Sequence, residues 1–177
     1  MTSPVVLATH IWPSTAEMPL AVDVLDLDFN GAIGDRHYGA TMQAGVRQKK
    51  LFASGTEISN LRQISIVDRG ELDRVAAALG IDRIDPGVIA DNIYTEGIDN
   101  LTSLPPMTRL EFSSGAMLLL GGENFPCTIA GAMVTRAHGA RKESFPKAAM
   151  GLRGVTGWVE RPAPIRPGNH ITVHLWA

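Results

Sequence analysis

The sequence predicts a mainly β, α+β fold built from short strands with a few short helices. Eighteen glycines and eleven prolines spread along 177 residues cut the chain into many short elements. Its apolar residues gather in short, turn-bounded runs. One stretch alone shows a complete amphipathic helical period with both end signals.

Strands are expected, in order, at residues 5–9, 21–29, 63–67, 88–95, 109–112, 116–120, 154–159 and 170–175. In 21–29, Val22, Val24, Asp26 and Asp28 oppose Ala21, Leu25, Leu27 and Phe29, with a phase slip at Leu25. The well-specified helix follows the third strand. Asp68 is its N-cap and Glu71 stands in capping-box position. Leu72, Val75, Ala76 and Leu79 form its apolar stripe, and Gly80 stops it. A second helix is expected just after Cys127, through Ile129, Ala130, Met133 and Val134. Residues 45–59 have no clear period and read as a mobile loop. No repeat or linker divides the chain, so 1–177 is expected to form a single domain.

Hydrophobic residues make up 45% of the chain, enough for one ordinary core. The formal net charge of −2 gives no field for nonspecific nucleic-acid or anionic-membrane binding. No apolar run approaches the roughly 20 residues that span a bilayer. The N-terminus lacks the basic start of a secretory signal, and the one cysteine has no intrachain partner. A reducing cytoplasm is the expected compartment.

That cysteine, Cys127, lies in Gly121-Gly122-Glu123-Asn124-Phe125-Pro126-Cys127-Thr128. Pro126 fixes its own φ and pushes Phe125 toward an extended conformation, so the thiol follows a defined bend. It can be buried as a small hydrophobe, or serve as nucleophile, sulfur carrier or metal ligand. A helix starting there would aim backbone N–H groups at a sulfur anion. A Cys–His hydrolase would need His37 or His138 beside the thiol. A zinc site from Cys127, His37 and His138 has suitable ligand types but no supporting spacing. His170 and His174 read as a half-exposed sheet surface.

Two polar clusters accompany the cysteine. Gly34-Asp35-Arg36-His37-Tyr38-Gly39 places an acid, a base, an imidazole and a phenol between two turn-permitting glycines. Its plainer reading is a solvated hairpin turn with an Asp–Arg pair. Asp91-Asn92-Ile93-Tyr94 puts two poor strand formers inside an expected strand. Either a bulge or binding position lies there, or an edge strand with one solvent-facing acid.

In this order the clusters resemble the MOSC domain, the molybdenum-cofactor sulfurase C-terminal family, in stand-alone form. The resemblance runs through Gly31-Ala32-Ile33-Gly34-Asp35-Arg36-His37, Arg62-Gln63-Ile64-Ser65-Ile66 and Asp91-Asn92-Ile93-Tyr94-Thr95-Glu96-Gly97-Ile98 to Pro126-Cys127. It continues through Gly151-Leu152-Arg153-Gly154-Val155-Thr156-Gly157-Trp158-Val159 and covers about residues 17–175. Pro105-Pro106-Met107, Asn169 and Asp91 depart from the family pattern, and 46–59 has no clear counterpart.

The resemblance implies a closed or partly closed β-barrel like that of pyruvate kinase. It also implies that Cys127 ligates the metal of molybdenum cofactor (molybdopterin) or carries sulfur as a persulfide. The implied activity is reduction of N-hydroxylated compounds, R–NHOH to R–NH2. The alternative is a non-catalytic carrier of cofactor or sulfur. On this reading Arg36 bonds the cofactor phosphate, His37 or Asp35 relays protons, and Asn92 hydrogen-bonds the pterin or the metal-bound oxygen, with Asp91 beside it. Pyridoxal phosphate belongs to fused relatives and is not expected. One cysteine cannot hold an iron–sulfur cluster, so a separate redox protein is expected to donate electrons.

Overall fold

The computed structural model describes residues 3–141 and 144–175. Its strands are β1 (Val5–Ile11), β2 (Leu20–Ala21), β3 (Leu27–Asp28), β4 (Gly31–Ala32), β5 (Thr41–Gln43), β6 (Glu57–Ser59), β7 (Ile64–Asp68), β8 (Ile93–Glu96), β9 (Arg109–Phe112), β10 (Met117–Glu123), β11 (Val155–Arg161) and β12 (Ile171–His174). The helices are α1 (Arg69–Leu79), α2 (Thr128–His138) and α3 (Phe145–Ala148), with 3-10 turns at Val46–Gln48 and Leu101–Ser103.

Eight strands make one mixed sheet in the order β12-β9-β10-β11-β7-β8-β1-β2. Only β7 and β8 run parallel, joined through α1; the other neighbours are antiparallel. The alternation of β7 divides the core. Ile64 and Ile66 enter a cluster with Leu110, Phe112, Leu118, Leu120 and Val159. Val67 points the other way, into a cluster with Leu72 and Val75 of α1, Val134 of α2 and Phe145 of α3. The helices therefore cover one face.

The barrel expectation is corrected by this sheet, which does not close. Its last strands are β12 and the two-residue β2, and among the described residues no ladder joins them. A single bridge, Val5–His170, and hydrogen bonds of Val6 with Gly168 and Asn169 draw the start of β1 toward β12 without continuing into paired strands. The expected strand 21–29 is broken in the same way. Leu20–Ala21 pairs with the end of β1, Leu25 makes one bridge to Ile165, and Leu27–Asp28 forms a separate hairpin with β4. Asp23, Asp26 and Asp28 are poor strand formers, and the phase slip at Leu25 falls inside the break.

Other elements follow their local signals. Asp68 accepts the Gly70 N–H at 2.9 Å, and Gly80 ends α1 at φ +69°. Glu71 does not close a capping box; its buried carboxylate turns to Thr102. The 45–59 segment is organised by the Val46–Gln48 turn and by β6, which pairs with β5. The expected strand 88–95 begins only at Ile93, because Ala90 takes a left-handed φ of +62°. At Gly154 only glycine fits. Its φ is +81°, and a Cβ would lie 2.0 Å from the Ile66 carbonyl oxygen.

Candidate functional site

Pro126 and the end of β10 bring Cys127 to the N-cap of α2, with φ −140° and ψ 166°. Its side chain makes no capping hydrogen bond. The half-buried thiol instead lines a cavity of about 490 Å³, within the ordinary range for small-ligand sites. Four arginines line the same cavity: Arg36, Arg47, Arg62 and Arg153. No aspartate or glutamate does, among the described residues.

The inner arginines are held by neutral partners. Arg62 donates to Asn124 Oδ1 at 2.9 Å and Thr156 Oγ1 at 3.4 Å, while Asn124 Nδ2 donates to Ser65 Oγ at 3.1 Å. Arg153 donates to the Ile89 carbonyl at 2.6 Å and Ser65 Oγ at 3.4 Å. Its buried Nε has no hydrogen-bond partner among the described residues. Burial pushes Arg62 down to about 10, with the charges of Arg47 and Arg153 adding to the effect. Burial likewise pushes Arg153 down to about 10, opposed by Asp91 and by negative charge at Cys127. Both remain cationic at neutral pH, so the pocket wall is positively charged, with the buried Asp91 behind it.

The two sequence clusters meet beside these arginines, joined to them through Ser65. Asn92 Oδ1 accepts the Ser65 N–H at 2.9 Å, and its Nδ2 donates to the His10 carbonyl at 3.2 Å and to Asp35 Oδ2 at 3.0 Å. Asp35 also accepts the Trp12 and His37 N–H groups at 2.7 and 2.8 Å, and contacts His37 Nδ1 at 2.9 Å. Burial alone would push the Asp35 carboxyl up. The hydrogen bonds from His37 and Trp12 outweigh it and hold the group below its ordinary 3.8. Asn92 and His37 line the cavity; Asp35 stands behind both.

Arg36 and Asp91 take positions their sequence context did not reveal. The Arg36 guanidinium stacks on Trp12, 3.7 Å from the ring centroid, and donates to the carbonyls of Trp12, Pro13 and Ala16. Asp91 does not line the pocket. Fully buried, it accepts the Gly87 N–H through both oxygens and faces His10 Nδ1 at 3.5 Å. Burial pushes its carboxyl up, with His10 opposing. A Cβ on Gly87 would come within 2.8 Å of the His10 ring, so this turn and the histidine fit closely.

No group of three or more His, Cys, Asp or Glu side chains suited to a metal ion occurs among the described residues. His138 closes the far end of α2, where its Nε2 accepts the Asp85 N–H at 3.2 Å. It is thus bound up elsewhere as a companion to Cys127 and His37. Arg47, Arg62, Arg153, Ser65 and Asn124 carried no functional signal in the sequence. Arg62 and Arg153 lay inside the quoted motif stretches, but burial of a cation against neutral oxygens leaves no local pattern.

Residues 37–172 match the family profile described as MOSC domain. A Bacillus subtilis (strain 168) protein named "Putative metal-sulfur cluster biosynthesis proteins YuaD" is 40% identical over 158 residues, covering 88% of this chain and 82% of its own. A crystal structure of YuaD from Bacillus subtilis superposes with a TM-score of 0.92 at 36% identity, covering 99% of this chain and 98% of that one. The crystal structure of Escherichia coli YiiM gives a TM-score of 0.63 at 12% identity, over 100% of this chain and 72% of that one, a likeness of fold alone. With the profile spanning most of the chain and a relative of this identity over most of both lengths, the protein belongs to the MOSC domain family.

Proposed function

We propose that the cavity binds molybdenum cofactor with the Cys127 sulfur as a ligand to the metal, and that the protein reduces N-hydroxylated compounds to amines. The observation that carries this reading is the placement of the chain's one thiol on a pocket lined, among the described residues, by four arginines and no acid. A soft thiolate suits molybdenum, and a cationic wall suits a phosphorylated pterin.

When bound, the cofactor supplies the two-electron chemistry by which R–NHOH, two electrons and two protons become R–NH2 and water. The residues around it have separate tasks. Arg62 and Arg153, with Arg47 at the mouth, hold the phosphate; Arg36 is engaged by Trp12 and three carbonyls. Asn92 has its Oδ1 fixed by Ser65, so its amide is presented in one orientation. Asp35 accepts from His37 Nδ1, which leaves Nε2 to exchange a proton with substrate. Asp35 is a positioning residue rather than a proton carrier.

The name of the Bacillus subtilis relative favours a second reading, in which Cys127 holds sulfur as a persulfide for delivery to a metal–sulfur centre. The same pocket would then receive the acceptor.

Molybdenum analysis of protein made in cells rich in the cofactor separates the two, with wild type beside Cys127→Ser. Near-stoichiometric molybdenum lost in the variant, together with reduction of an aryl hydroxylamine, supports the reductase. The thiol makes no capping hydrogen bond, so the variant keeps its melting temperature within a few degrees. Sulfane sulfur on Cys127 with no molybdenum and no reduction selects the carrier.

A further inference from the structure

The mouth of the cavity carries a second, external feature. The Val46–Gln48 turn and the residues after it face the start of α2 across the opening. Arg47 bridges the two sides by donating to the Phe125 carbonyl at 2.9 Å, and Val46 and Ile129 both line the cavity. Around this bridge stand large apolar side chains in water: Val46 and Leu51 are each 81% exposed, Ile129 68% and Phe125 54%. Such a concentration at one opening is a binding feature rather than scattered surface.

Its charge is one-sided. From 40 to 56 the chain carries Arg47, Lys49 and Lys50 and no acid, and from 124 to 135 it carries no acid. Lys49 and Lys50 are exposed and form no salt bridge among the described residues. The backbone N–H groups at the start of α2 add to the positive end. This is a local exception in a chain of net charge −2. Aromatic and aliphatic anchors within a basic rim match a small, transient interface with an acidic partner.

Resting on the reductase reading, we propose that this rim docks an acidic, single-domain redox protein that delivers the two electrons at the pocket mouth. The partner's carboxylates meet Lys49 and Lys50, and its apolar centre covers Val46, Leu51, Phe125 and Ile129. Each turnover oxidises two one-electron carriers and reduces one R–NHOH. Electron-transfer encounters of this kind bury little area, and their rates fall with salt.

The test compares cofactor-loaded wild type with a Lys49→Glu/Lys50→Glu double variant and with Leu51→Asp, three positions that do not line the cavity. Electrons come either from reduced methyl viologen or from a reduced acidic [2Fe–2S] ferredoxin. With ferredoxin, the wild-type rate should drop at least tenfold between 50 and 300 mM NaCl, and each variant at 50 mM by a similar factor. With viologen all three rates should stay within twofold. An unchanged ferredoxin rate in the double variant overturns the docking site. If neither donor supports reduction, the reductase reading has failed, and calorimetric titration of ferredoxin decides the surface by itself. Binding at 50 mM NaCl that the double variant loses supports it; no binding to wild type overturns it.

Discussion

The Asp35 carboxylate accepts a hydrogen bond from the Asn92 side-chain amide at 3.0 Å, joining two polar clusters 57 residues apart behind one wall of the cavity. Neither group is free to turn. Asp35 is also tied to Trp12 and His37, and Asn92 to Ser65 and His10. Asn92→Ala leaves the Ser65 N–H without its acceptor and should cost about 2 kcal/mol. Asn92→Asp faces one buried carboxylate with another and should cost about 3 kcal/mol or more at pH 7. Like charges raise the pair's proton affinity, so that loss should shrink as pH falls to about 5. Urea denaturation at both pH values checks this. A variant as stable as wild type at pH 7 contradicts the contact.

Asp35 also sets an acid limit. Its folded-state pKa lies below the ordinary 3.8, so the stability it contributes is full above about pH 4 and is lost as pH falls through the lower folded value. Asp35→Asn should be less stable than wild type by about 1–2 kcal/mol at pH 7, the worth of hydrogen bonds to a charged acceptor. The gap should close as pH falls through the lowered folded value. Denaturation midpoints of both proteins from pH 7 to pH 2 give the comparison.

Glu71 has the opposite sign. Burial pushes its carboxyl above the ordinary 4.5, with the hydrogen bonds from Thr102 opposing. Its favourable contribution is present below pH 4.5 and lost as pH rises through the raised folded value. Glu71→Gln should remove that part of the slope. Glu71→Ala should cost about 2–3 kcal/mol at pH 4.5 and less at pH 7.5, because the Thr102 N–H and hydroxyl lose their acceptors, at 2.9 and 2.6 Å, while the burial penalty of the charged carboxylate is relieved. Stability measured at pH 4.5 and 7.5 for the three proteins resolves both effects.

Arg62 and Arg36 should differ in anion binding although both line the cavity. Arg62→Ala should weaken binding of inorganic phosphate roughly tenfold, about 1.4 kcal/mol. Arg36→Ala should change it less than about threefold, because that guanidinium is stacked on Trp12 and bonded to three carbonyls. Calorimetric titration at low ionic strength measures the contrast. Equal losses would return the phosphate role to Arg36.

What the sequence determined by itself is local. Asp68 and Gly80 delimit α1 because cap chemistry and a left-handed C-cap act within a few residues. Pro126 ahead of an apolar helical period placed Cys127 at the start of α2 in the same manner. Strands 63–67 and 109–112 were legible from their alternation and 116–120 from its apolar run, and each lies within one residue of the expected start. Tertiary structure decided the rest. Barrel closure depends on pairing between strands at opposite ends of the chain, and the broken segment around Leu25 withdrew the strand that would have extended it. The arginine wall is assembled from residues 47, 62 and 153, far apart in the chain, and folding buries Arg62 and Arg153 beside a cavity that no aspartate or glutamate lines among the described residues. Asp91 shows the same limit from the other side. Next to Asn92 in the chain, it points away from the cavity and into the Gly87 turn, because the left-handed Ala90 sets the backbone direction where the strand begins.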